Sequence, residues 1–260
     1  MTQGIGSERW IYMIGGVAAI VGSVMGMVGN LIHPSTPLND SQGVAQTIAE
    51  SDAWSPIHLT ILFGIMLMLG GLVALYHSIR GGIASVLARF GLWAAAVGIA
   101  IGVIVVILDG VAAKQLADEW ATAPPEERSI ALRDVLANET INFALASSFN
   151  IVFAGATFLL LGLAVALSGT YPGWLGWIAV GAGILSVGAG LIQAFTGEPT
   201  IASRILTIIG PTVITLWLLV IGILLTGKAR RIDLIERVDG SDSSRWPGHG
   251  VVQGSDTSAI

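Results

Sequence analysis

Six long apolar runs occupy most of this chain, and they leave it very few ways to fold. They are Trp10 to Ile32, Ile57 to Tyr76, Phe90 to Leu108, Ile141 to Leu167, Trp174 to Phe195 and Ile205 to Thr226. A helix that crosses the roughly 30 Å hydrocarbon layer needs about 20 apolar residues at about 1.5 Å each, and each run meets that length. Spanning strands would instead alternate apolar and polar residues over about ten positions, and these runs do not. Only 11% of the residues are charged, against about 25% in a soluble domain. The expected fold is therefore all-α: a polytopic transmembrane bundle of six spanning helices, with a short outer amphipathic helix in each long external loop. The first run is longer than the roughly 7–15 apolar residues of a signal peptide, so it is expected to stay as a span. The chain divides into a cytoplasmic N-terminus (1–9), a six-helix transmembrane domain (10–227) and a largely disordered cytoplasmic tail (228–260).

Charge placement suggests an orientation. With alternating helices, Arg9, Arg80, Arg89, Lys228, Arg230, Arg231, Arg237 and Arg245 fall on one side, and Lys114, Arg128, Arg133 and Arg204 on the other. The more basic side faces the cytoplasm, so both termini are expected inside, in a cell membrane. The outer loops are also the long ones. Asn39, Asp40 and Ser41 are helix-capping types ahead of a short amphipathic stretch with Val44 and Ile48. The second outer loop extends helix three through Lys114 to Trp120, breaks at Pro124-Pro125 and resumes helically at Glu126. A net charge of −5 gives no basic face for nucleic acid. The absence of cysteine removes disulfide, thiolate and cysteine–zinc chemistry.

Polar side chains inside a bilayer turn toward the bundle interior. Helix four carries Glu139, Asn142, Ala146, Asn150, Ala154 and Thr157 at steps of three and four, hence on one face. The outer ends of the other helices contribute Asn30, His33, His58, Asp109, Gln193 and Arg204, whereas the inner halves are mostly Gly, Ala, Leu, Ile and Val. This pattern predicts a bundle packed tightly at one end and polar at the other. The candidate ligand-binding residues are His58, Asp109, Asn142 and Asn150, with Asn30, His33 and Gln193 at the rim. Asp109 supplies charge, His58 a pH-sensitive donor or acceptor, and the two asparagines orientation.

Several chemistries compete with that reading. His33 and His58 can converge with Asp109 or Glu139 into a mixed nitrogen/oxygen metal site, but no helix carries two histidines at four-residue spacing. His58 and His77 lie too far apart along one helix to share a metal or haem. Ser147-Ser148 sits in no nucleophile elbow. No catalytic residue, metal or cofactor is therefore assigned from the residues. A secondary transporter would need polar groups along the whole path, which the inner half lacks. A membrane-embedded metal-dependent enzyme and a structural accessory subunit also compete with a binding role. In an accessory subunit, Gly22 with Gly26 and Gly98 with Gly102 act only as packing seams, within one chain or between copies in a homo-oligomer. Trp10, Trp54, Trp174 and Trp177 read as headgroup anchors. The expected partners are the bilayer and a small-molecule or lipid ligand.

The glycine-rich first helix ends in His33-Pro34, and Trp54-Ser55-Pro56-Ile57-His58-Leu59 opens the second. Helix four opens with Asn142, contains Gly155, and closes in a tight inner turn from Ser168 to Trp177. With these features the chain resembles a broad group of prokaryotic six-helix membrane proteins of unknown function. The resemblance implies the fold and no activity.

Overall fold

A computed structural model describes residues 2–38 and 40–243. Its described elements are helical: α1 (Thr2–Ile32), α2 (Ser41–Glu50), α3 (Trp54–Ser78), α4 (Gly82–Ile107), α5 (Ala113–Thr122), α6 (Arg128–Phe149), α7 (Phe158–Leu167), α8 (Gly173–Thr196) and α9 (Ile201–Ser243). Two π-helical turns, Leu108–Ala112 and Asn150–Thr157, join α4 to α5 and α6 to α7 without a break in the rod. Six rods are long and apolar enough to cross a membrane: Ser7–Ile32, Trp54–Ser78, Gly82–Thr122, Arg128–Leu167, Gly173–Thr196 and Ile201–Ile235. This is an integral membrane protein of the multi-pass type.

The spans are longer than the apolar runs because good helix formers extend them into the flanking polar zones. In the second long loop, α5 and α6 pack on each other as an antiparallel extension of spans three and four, so its amphipathic stretch is continuous with the fourth span. Among the described residues, only α2 is a separate loop helix. Asp40 caps it, its carboxylate accepting from the Gly43 backbone N–H at 2.9 Å. Asn39, expected beside it as a capping residue, lies outside the described residues. Of the tail expected to be largely disordered (228–260), residues 228–243 continue α9 as helix, and residues 244–260 lie outside the described residues.

The spans close into a ring in chain order. α1 packs on α3, α3 on α4, α4 on α6 and α7, α7 on α8, α8 on α9, and α9 back on α1. Glycine makes these seams close. A methyl group built on Gly22 would lie 2.6 Å from the Gly64 carbonyl oxygen, and one on Gly98 would lie 2.6–2.8 Å from the Phe153 backbone and Cβ. Backbones this near gain dispersion contact that larger residues would block. At one end of the ring Arg9 pairs with Asp233 and Arg80 with Glu8, tying together the start of α1, the α3–α4 turn and the far part of α9. That end is filled by apolar side chains, with Leu72, Leu75, Leu161, Leu218, Ile221 and Leu225 all fully buried. An aromatic ladder continues the plug toward mid-bundle: Phe149 stacks on Phe153, Phe153 meets Phe158 edge-on, and Phe158 meets Trp217 edge-on.

Candidate functional site

At the opposite end the ring opens around polar groups. His33, just past α1, and His58, in the first turns of α3, bring their Nε2 atoms to 3.2 Å. Asp109, in the first π-turn, puts Oδ2 3.2 Å from the same His58 Nε2. Each imidazole is held from behind. His58 Nδ1 lies 2.8 Å from the Trp54 carbonyl, and His33 Nδ1 lies 2.8 Å from the Pro34 carbonyl. A carbonyl only accepts, so both Nδ1 atoms carry a proton, and in the neutral form of each ring the Nε2 lone pair points into the site.

Local sequence accounts for this arrangement. Trp54 and His58 are four apart, which puts the Trp54 carbonyl beneath the His58 ring. Gly110 has no side chain where the His58 Cβ packs against it. The π-turn displaces Asp109 by one position from an α-helical register, a device common at functional sites. It also presents carbonyls to neighbours: Trp54 Nε1 donates to the Asp109 carbonyl at 2.7 Å, Ser55 Oγ to Gly110 at 2.7 Å, and Asn138 Nδ2 to Leu108 at 3.2 Å. Trp54 is thus no headgroup anchor. It is 2% exposed and packs against His33 and His58 at ring-centroid distances of 4.9 and 5.0 Å. Trp10, Trp174 and Trp177 do face outward. Lys114 is engaged by Asp118 and the Ala49 carbonyl, which leaves Asp109 to His58. Burial, reinforced by His58 alongside, holds the His33 imidazole below its usual range, so the ring favours its neutral form.

Two cavities meet at this cluster. The deeper one, about 270 Å³, lies between Asn30, His58, Asp109, Asn150 and Gln193, with Phe149 and Phe153 at its floor. Here Asn150 Nδ2 donates to Gln193 Oε1 at 2.8 Å, and Gln193 Nε2 donates to Thr207 Oγ1 at 3.3 Å. This chain links α8 and α9 to the start of the second π-turn. The upper cavity, about 320 Å³, is bordered by His33, Asp109, Glu139, Asn142 and Arg204. Arg204 donates to the Thr36 carbonyl at 3.0 Å and so fastens the loop after α1 across this mouth.

The seven residues expected to form a site all line one or other cavity. Their roles differ in detail. Asn30 donates one amide hydrogen to the Gly26 carbonyl of its own helix and offers its oxygen and its second amide hydrogen. Asn150 is committed to Gln193, whereas the Asn142 Oδ1 is buried without a partner. Ser147 and Thr157 bond only to carbonyls of their own rod, so neither ties helices together. Glu139, left out of the expected set, also has a buried oxygen, Oε1, without a partner. It shares the helix-four stripe with Asn142, and that periodicity was the available signal. Thr207 was likewise visible, three residues after Arg204. The π-turns had no signal in the pattern of residues.

Neither the curated proteins nor the solved structures hold a match to this chain. A described family matches residues 14–222, from the middle of α1 to the middle of α9, and the chain belongs to it: the family of the domain of unknown function DUF4386.

Proposed function

We propose that this protein binds a small polar molecule in the two-lobed vestibule at the loop-bearing end of its bundle, and that the vestibule opens on the non-cytoplasmic face of the cell membrane. The observation that carries this is the convergence of His33, His58 and Asp109 from three separate rods on joined cavities, where Glu139 and Asn142 keep buried oxygens without partners. Unpaired buried acceptors cost about 1–3 kcal/mol each, and a bound donor removes that cost. The combined space suits a small ligand rather than a protein segment. Orientation rests on the excess of Lys and Arg at the end where Arg9, Arg80 and Lys228 lie.

Transport is less well supported. The polar residues stop at the aromatic ladder from Phe149 to Trp217, and below it the ring is filled with leucine and isoleucine. A permeation path needs polar groups or water along its length.

The chain has no cysteine, so any introduced thiol is unique. In intact cells or right-side-out vesicles, Asn142→Cys is expected to react with a membrane-impermeant maleimide added outside, and Phe158→Cys is not. Ala146→Phe, which fills the junction of the two cavities, is expected to abolish the thermal stabilisation that a screen of small polar compounds finds for the wild type. Labelling of Asn142→Cys only from the cytoplasmic side refutes the orientation. Stabilisation that survives Ala146→Phe refutes the site.

A further inference from the structure

We propose that His33, His58 and Asp109 hold a divalent cation of the zinc class, through two imidazole nitrogens and one carboxylate oxygen, with a further coordination position open to the upper cavity beside Glu139. This deepens the vestibule reading and rests on it.

The hydrogen-bond count calls for a cation. With both Nδ1 atoms donating to carbonyls, the three inward atoms are His33 Nε2, His58 Nε2 and Asp109 Oδ2, all acceptors when the cluster holds no extra proton. Two of them sit 3.2 Å from the third, a spacing at which something positively charged must lie between the lone pairs. A single added proton satisfies one line of contact. A cation at the centre satisfies all three.

The spacing of the three atoms fits zinc. Tetrahedral zinc with bonds of about 2.0–2.1 Å separates its ligand atoms by about 3.3 Å. Two edges of the triangle measure 3.2 Å, and all three ligand atoms lie within 4.8 Å of one another. The wider edge closes by a swing of the Asp109 carboxylate, whose side chain is 30% exposed and has room to turn. The donor set is also suitable: imidazole and carboxylate favour zinc over the all-oxygen sites of magnesium and calcium.

The surrounding shell is that of a metal site. Metal-bound imidazoles usually donate their other N–H to a carbonyl or carboxylate, which fixes the tautomer. Both histidines do so here, to Pro34 and Trp54. Trp54 packs on both rings and donates to the Asp109 carbonyl, so one indole braces all three ligands. The buried Glu139 Oε1, without a partner, borders the same cavity. A water on the open position of the cation would give it a donor.

The test uses the full chain, purified in detergent micelles, stripped with a chelator and titrated with Zn²⁺ and, separately, Co²⁺ as an optical probe. We expect one equivalent of Zn²⁺ and a visible ligand-field band from Co²⁺ of the intensity given by a four-coordinate site. Asp109→Asn, which preserves shape, and His33→Gln, at a helix end, are each expected to weaken Zn²⁺ by more than about 100-fold, beyond the loss that follows removal of an outer-shell partner. His77→Gln, at the other end of α3, is expected to leave it unchanged. A wild type without the Co²⁺ band, or with Zn²⁺ affinity equal in all variants, overturns the assignment and leaves the cluster holding a proton. Maleimide labelling of Asn142→Cys separates the two readings. Labelling from outside without metal binding sinks the cation alone, and absence of labelling sinks the vestibule.

Discussion

Replacing Trp54 by phenylalanine separates a buried brace from a headgroup anchor. In the structure this indole is 2% exposed, lies about 5 Å from two imidazole rings and donates a 2.7 Å hydrogen bond to the π-turn. Trp54→Phe keeps an aromatic ring and removes the donor. The lost hydrogen bond costs about 1–1.5 kcal/mol. The smaller ring leaves a void and weakens the imidazole contacts, which adds about another 1 kcal/mol. The sum, about 2–2.5 kcal/mol, corresponds to roughly a 30- to 60-fold shift in the unfolding equilibrium. Trp174, 62% exposed, provides the control, and Trp174→Phe is expected to stay within about 0.5 kcal/mol. Reversible unfolding in mixed micelles, followed by far-ultraviolet circular dichroism, measures both. If Trp54→Phe costs no more than Trp174→Phe, then Trp54 lies at the interface and does not brace the His33–His58 pair.

Packing and titration elsewhere in the bundle can be probed in the same way. Gly98→Val places a branched side chain where a single methyl carbon already meets Phe153 at 2.6 Å, and should destabilise by about 1–3 kcal/mol. Gly181→Ala meets nothing within 4 Å and should be neutral or stabilising, as read by the same unfolding assay. A double-mutant cycle between Asn150→Ala and Gln193→Ala should give a coupling of about 0.6–1.7 kcal/mol, and a coupling of zero would refute the buried amide link. Burial pushes the Tyr171 phenol up to about 12, against the opposing hydrogen bond shared with Ser78. Because the folded value lies above the unfolded one, this contribution to stability is complete below about pH 10 and is lost as pH rises toward 12. Tyr171→Phe should therefore remove the part of the alkaline loss of stability that falls between pH 10 and 12.

The six spans were legible because one physical requirement dominates them. Each must match the thickness of the hydrocarbon layer with backbone bonds closed inside the segment, and a run such as Ile57 to Tyr76 admits little else. The polar stripe of helix four, from Glu139 to Thr157, was legible for a related reason, since a periodicity of three and four survives any change in neighbours. The glycines at 22 and 98 announced close approach, though not that Gly64 and Phe153 would be the partners.

Contacts between rods depend on rotation and depth, and these are settled only when the ring closes. Six membrane crossings, and polar groups carried toward one end of them, follow from the order of residues alone. The meeting of His33 with His58, the entry of Asp109 through a π-turn and the burial of Trp54 behind both rings arise only in the assembled bundle. So does the aromatic ladder that seals the space below. Hydropathy acts on each segment alone, whereas a site made by three rods depends on their mutual registry, which small shifts in packing set and no single segment encodes.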